Sequence, residues 1–181
     1  MMMKKTILGF VLLSLCGFAT AGESKSKGFY LGAAAGFSVF DDGGAAGGAA
    51  FDDEDTSMQL QFGYKILKHF AIEGQYVDYG TFDTVLDVTA MSVNAVGIIP
   101  FGVSGWELFG QLGVGTVNLE VSGLLDQDED AIGFGVGVRY SPAENFSFAI
   151  QTGGYIFEAD DLGTVYDMSV GGTQLSAQFI F

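Results

Sequence analysis

The feature that most constrains this chain is a strict alternation of apolar with polar or small residues, repeated in one segment after another. From Ser57 to Lys65, Met58, Leu60, Phe62 and Tyr64 fall on one face, and Gln59, Gln61, Gly63 and Lys65 on the other. A period of two belongs to the pleated strand, where successive side chains point to opposite sides. The pattern recurs with Phe70, Ile72, Gly74 and Tyr76 against Ala71, Glu73 and Gln75. Trp106, Leu108, Gly110, Leu112 and Val114 oppose Glu107, Phe109, Gln111, Gly113 and Gly115, and Ile132, Phe134, Val136, Val138 and Tyr140 oppose Gly133, Gly135, Gly137 and Arg139. Composition agrees: the 181 residues include 28 Gly and 17 Phe but only 2 Pro, which suits closely packed strands better than long helices. The pattern predicts strands at about 29–40, 57–66, 70–79, 87–101, 106–119, 130–140, 146–157 and 168–181, an all-β, eight-stranded antiparallel up-and-down sheet.

The N-terminus departs from the pattern. Lys4 and Lys5 precede an apolar run from Ile7 to Phe18, followed by Ala19-Thr20-Ala21. That order of charged, apolar and small residues is a secretory signal, too short for the roughly 20 apolar residues of a spanning helix. Residues 1–21 are expected to be cleaved after Ala21, leaving residues 22–181 as one domain. A lipoprotein reading would modify Cys16, but bulky Leu15 stands where a small residue is wanted. Cleavage removes the single cysteine, so the mature domain has no disulfide chemistry.

The predicted connections alternate in kind. Short turns fall at Lys65–His69, Gly102–Gly105 and Ser141–Asn145, and longer polar stretches at Asp41–Thr56, Gly80–Leu86, Glu120–Glu129 and Glu158–Asp167. Short turns and both termini thus collect at one end, four longer loops at the other, as in outer-membrane barrels with periplasmic turns and extracellular loops. The outward residue nearest the short-turn end of each strand is Phe29, Tyr64, Phe70, Phe101, Trp106, Tyr140, Phe146 or Phe181. All are aromatic, as expected of an interfacial girdle. The opposite face carries Gln59, Gln61, Glu73, Gln75, Asn94, Gln111, Gln151, Gln174 and Gln178, too little charge for a solvated exterior and suited to a hydrogen-bonded lumen.

Gly28 to Gly36, Phe62-Gly63-Tyr64-Lys65 running into Phe70 to Tyr76, and the terminal Phe181 together resemble the small eight-stranded outer-membrane barrels of the OmpA and OmpX type. The resemblance spans nearly the whole mature chain. It implies an integral protein of the Gram-negative outer membrane that contacts lipid and lipopolysaccharide and is expected to be a monomer. Thr173, Leu175, Ala177, Phe179 and Phe181 resemble the C-terminal signal read by the barrel-assembly machinery, which assigns Phe179 and Phe181 an assembly role. With Phe181 last, the separate peptidoglycan-binding domain of longer OmpA proteins is not expected. Enzymatic barrels use a histidine with Ser or Asp; His69 is the sole histidine and falls in a short turn beside Lys68. A solvated turn residue is the better reading, and no enzyme activity or cofactor is expected.

Other motifs point the same way. Metal sites of the His/Cys kind lack donors. Gly133-Phe134-Gly135-Val136-Gly137 precedes no helix and reads as strand packing rather than a phosphate loop. Asn145-Phe146-Ser147 is a sequon at a strand start. Acidic residues, 22 against 7 basic for a formal charge of -15, exclude a nucleic-acid partner and concentrate in the longer loops. Asp126-Gln127-Asp128-Glu129-Asp130 alternates oxygen ligands but lacks the central Gly and distant Glu of an EF-hand, so diffuse divalent-cation binding is expected instead. Two functions fit: a non-enzymatic structural or surface-interaction barrel with acidic extracellular loops, or a narrow porin-like pore for small solutes. Eight strands enclose little more than their own side chains, which favours the first. Because Trp106 and Tyr140 share the girdle on neighbouring strands, Glu107 and Arg139 lie one residue above it, point inward, and are expected to form an interior ion pair; Glu73 and Lys65 are the alternative partners if the stagger differs.

Overall fold

The structure is a computed structural model describing residues 26–41, 54–82, 86–101, 105–121, 125–161 and 164–181. The signal segment with its cleavage site, Cys16, and the loop acids Asp42, Asp52, Asp53 and Asp83 lie outside the described residues. Eight strands run in chain order: β1 (Gly28–Asp41), β2 (Glu54–Leu67), β3 (Phe70–Phe82), β4 (Leu86–Phe101), β5 (Trp106–Val121), β6 (Leu125–Ala143), β7 (Phe146–Asp161) and β8 (Thr164–Ile180). Each pairs antiparallel with its sequence neighbours, and β8 returns to β1, from Tyr30↔Ile180 to Asp41↔Ser169, closing the barrel. Closure leaves no unpaired edge.

The register fixes the shape. Following the pairing once round from Glu107 through Arg139, Ala149, Ser176, Ala34, Gln59, Val77 and Ala90 returns to β5 at Val117. The chain has advanced from residue 107 to residue 117, a stagger that tilts eight strands by roughly 40° and leaves an interior just wide enough for side chains.

Alternation does what the sequence requires of it. Along β4, Val88, Ala90, Ser92, Asn94, Val96 and Ile98 are buried, while Met91, Val93, Ala95, Gly97 and Ile99 are exposed. The exterior is apolar: Leu112 is 63% exposed, Val114 69% and Leu175 68%. A surface of this kind is stable against lipid, where a closed barrel meets every backbone hydrogen-bonding need internally.

Two expectations need correction. Three of the four longer loops, Gly80–Leu86, Glu120–Glu129 and Glu158–Asp167, are mostly strand. β3 and β4 pair as far as Phe82↔Leu86, β5 and β6 to Val121↔Leu125, and β7 and β8 to Asp161↔Thr164, while 42–53 lies outside the described residues. Asp126 to Asp130 is therefore a stretch of β6. Where both faces meet water the alternation has no cause, yet the ladder continues, and like charges such as Glu158↔Asp167 are screened in salt.

The second correction concerns the interior, which is layered rather than uniformly polar. Toward the end opposite the short turns, Phe40, Val77, Tyr79, Phe82, Val88, Val117, Tyr155, Phe157 and Val170 form an apolar plug. A smaller apolar group, Tyr30, Ala71, Val96, Ile98, Phe109, Ala149 and Ile180, lies toward the short-turn end. The polar side chains occupy the space between and beside these groups.

Candidate functional site

The lumen holds the molecule's densest polar chemistry, and the strand register places it. Glu107 and Arg139 are direct partners on β5 and β6, with Arg139 Nη1 3.5 Å from Glu107 Oε2. The other carboxylate oxygen, Oε1, accepts from Lys65 Nζ at 3.3 Å. One carboxylate thus serves two cations, where the sequence suggested Lys65 only as a substitute partner. Arg139 also stacks over Phe109, 4.7 Å from the ring centroid, a contact that favours a weakly hydrated guanidinium. All three charged groups are buried, where the local dielectric strengthens each attraction and makes an unpaired charge costly.

Glu73 is a second buried carboxylate of the lumen. Its carboxylate accepts from Tyr30 Oη at 2.6 Å and from Gln75 Nε2 at 2.5 Å. The same Gln75 amide donates to Gln111 Oε1 at 2.9 Å. On the facing wall the amides form a directional series. Gln178 donates to Gln61 at 2.7 Å, Gln61 to Gln151 at 3.4 Å, and Gln151 to both Gln59 at 2.9 Å and Gln174 at 3.3 Å. Gln174 then donates to Ser57 Oγ at 3.0 Å. Asn94 donates to Ser92 Oγ, itself 2.7 Å from Tyr155 Oη.

Glycines create room for this packing. A Cβ at Gly133 would lie 2.8 Å from the Tyr155 ring, one at Gly135 2.8 Å from Gln111 Nε2, and one at Gly137 2.5 Å from Phe109 Cζ. Each inward glycine of the Gly133-to-Gly137 run therefore admits a large side chain from a neighbouring strand, consistent with strand packing. A cavity of about 20 Å³ opens among Gln59, Gln75, Asn94, Gln111, Gln151, Gln174 and Tyr155.

The aromatic positions face outward at the short-turn end. Phe29, Tyr64, Phe70, Phe101, Trp106 and Phe181 are exposed, and Tyr140 and Phe146 are half-buried. Register brings some together: Phe29 and Tyr64 at 4.7 Å between ring centroids, Trp106 and Tyr140 at 4.8 Å, Phe101 and Trp106 at 6.4 Å. Phe179 packs edge-on against Phe181 at 5.2 Å. Tyr64 and Phe70 are not partners, since Tyr64 pairs with Ile72.

His69 is exposed in the Lys68–His69 turn, its Nδ1 3.1 Å from the Ile98 carbonyl. Asn145 is exposed in the turn before β7, while Ser147 of the sequon is buried. Among the described residues no three His, Cys, Asp or Glu side chains converge on a metal-sized space. Asp128 instead accepts from Asn118 Nδ2 at 3.1 Å, and Gln127 bonds Glu129. The described basic residues, Lys27, Lys65, Lys68 and Arg139, all lie toward the short-turn end, whereas Asp41, Asp55, Asp78, Asp87, Glu120, Asp128, Glu158 and Asp167 lie toward the other.

With closure, an apolar exterior and a polar lumen established, the family follows from sequence. The outer membrane protein beta-barrel domain matches residues 8–181. The chain belongs to the outer membrane β-barrel family. This outer-membrane barrel matches no curated protein. Its fold is shared with Neisserial surface protein A at 18% identity and TM-score 0.68, over 87% of this chain and 100% of that one. The N-terminal barrel of Pseudomonas aeruginosa OprF aligns at 15% identity and TM-score 0.58, over 86% and 100%. Ail, the attachment invasion locus protein of Yersinia pestis, solved with the heparin analogue sucrose octasulfate, aligns at 16% and 0.54, over 87% and 100%. At these identities the likeness carries the fold alone.

Proposed function

We propose that this outer-membrane barrel is a non-enzymatic structural or surface-interaction protein with a sealed lumen, presenting an anionic extracellular end. The observation that carries this reading is the interior, which is occupied by an apolar plug, a bonded amide layer and the Lys65–Glu107–Arg139 cluster, beside a cavity of about 20 Å³. The porin-like alternative needs a continuous aqueous path that such packing does not supply. The short-turn end, with its aromatic girdle, faces the periplasm, and residues 1–21 serve as the cleaved export signal. Phe179 and Phe181 engage the assembly machinery.

Ail was solved with a sulfated heparin analogue, a polyanion. The acids on the ends of β1 to β8 repel such a ligand and favour cationic partners or divalent cations shared with lipopolysaccharide phosphates. Planar-bilayer recording of the refolded barrel tests the sealed lumen, with no unitary conductance above the protein-free membrane expected. Steady open-channel steps in the folded, heat-modifiable form would establish the pore instead.

A further inference from the structure

The amide series in the lumen has a direction, and that direction leaves one donor unused. Each Nε2 from Gln178 through Gln61 to Gln151 donates to the next amide oxygen, and Gln151 passes its hydrogen bond to Gln59 Oε1. The acceptor role of Gln59 is thereby fixed, which leaves its Nε2 facing onward. That nitrogen is buried and has no protein acceptor. Gln59, only 4% exposed, lines the interior cavity of about 20 Å³ together with Gln75, Asn94, Gln111 and Tyr155.

Two independent requirements for a buried ligand therefore coincide. A buried amide N–H without an acceptor is costly, and a polar space of this size exceeds the roughly 10–15 Å³ that one water needs while excluding anything much larger. The ligand must accept from Gln59 Nε2, so a bare cation is the wrong chemistry. It must also donate to the amide and phenol oxygens around it, which a halide cannot do.

We infer that the cavity is a binding site for a single structural water, held by Gln59 Nε2 and bridging the amide series to the Asn94–Ser92–Tyr155 group. The apolar plug lies on one side of this water and the amide layer on the other. It is a fixed part of the lumen wall rather than one member of a water column. The inference stands on lumen geometry and does not depend on what the outer end of the barrel meets.

Water-edited solid-state NMR of the barrel in lipid bilayers reads this directly. Magnetisation from water should reach the Gln59 Nε2 protons and the Asn94 side chain, while the Gln178 and Gln61 amides receive little. Gln59→Met, close in volume and without a donor, should abolish the transfer to Asn94. Gln178→Met, removing an amide whose donor is already satisfied, should leave it. No transfer to Gln59 in the unaltered protein would overturn the site. So would equal transfer to all the lumen amides, the mark of a continuous column, or persistence of the Asn94 signal in Gln59→Met. Should that variant fail the heat-modifiability check for folding, the comparison of Gln59 with Gln178 in the unaltered protein still decides.

Discussion

Glu107 is the residue on which the charged lumen turns, because it faces two cations at 3.3 and 3.5 Å. Removing it takes the shared acceptor from both Lys65 and Arg139, whereas removing Lys65 leaves Glu107 its contact with Arg139. Glu107→Ala is expected to destabilise the refolded barrel by about 3–5 kcal/mol, the range for breaking a buried pair, and Lys65→Met by clearly less. Urea titration in lipid vesicles checks the order of the two, and an equal or smaller loss for Glu107→Ala would contradict the shared-carboxylate arrangement. A second residue-scale expectation concerns packing. Gly137 stands where a Cβ would meet the Phe109 ring and the Ile150 carbonyl, so Gly137→Val should cost about 1–3 kcal/mol through overpacking, read from the same titration. Gly110, whose Cβ would meet nothing nearer than 3.8 Å, should tolerate alanine.

At the scale of the strand, alternation was readable wherever one face meets lipid and the other the lumen. Met58 to Lys65 and Phe70 to Tyr76 could be placed on strands and assigned faces from spacing alone. Their ends could not, since Asp126 to Asp130 and Glu158 to Asp167 lie beyond the apolar band, where neither face needs to be apolar. Only the ladder itself, through pairs such as Asn118↔Asp128 and Glu158↔Asp167, shows that β6 runs through Asp126 to Asp130, β7 on to Asp161 and β8 from Thr164. Their backbone amides are expected to exchange more slowly than those of an open loop by hydrogen–deuterium exchange in detergent. Free-loop exchange at Asp128 and Glu129 would mean the hairpin frays. The interior was legible in residue type but not in layering. Glu107 and Arg139 could be brought together because Trp106 and Tyr140 mark equal heights on adjacent strands. The plug at Phe82, Val88 and Phe157 depends on the stagger, which no local spacing encodes. Phe181 belongs to this scale too: its amide donates to the Phe29 carbonyl at 2.8 Å across the β1–β8 seam. Phe181→Ser should reduce assembly into the outer membrane in cells more than it lowers the stability of refolded protein. Equal losses would leave Phe181 a girdle residue only.

For the whole molecule, the exterior is apolar, while the barrel encloses amides and charges between two apolar layers. The mature chain should fold in detergent or lipid to a heat-modifiable form and fail to reach a monodisperse state in plain buffer. Charge is polarised along the same axis, with the described cations near the short turns and most acids at the far end. The resulting weak, multiple and salt-sensitive binding of calcium or magnesium should appear in calorimetry as no single stoichiometric site. The most direct test of a barrel with an apolar exterior and a sealed lumen is spin-label accessibility along β4 in lipid bilayers, one cysteine-attached label at a time from Met91 to Ile99. Oxygen accessibility should alternate, high at Met91, Val93, Ala95, Gly97 and Ile99 and low between them, while a water-soluble nickel complex reaches neither set. Collisions of the nickel complex with Ser92, Asn94 and Val96 would reveal an open aqueous lumen, and collisions with the outward set would place that face in water rather than lipid.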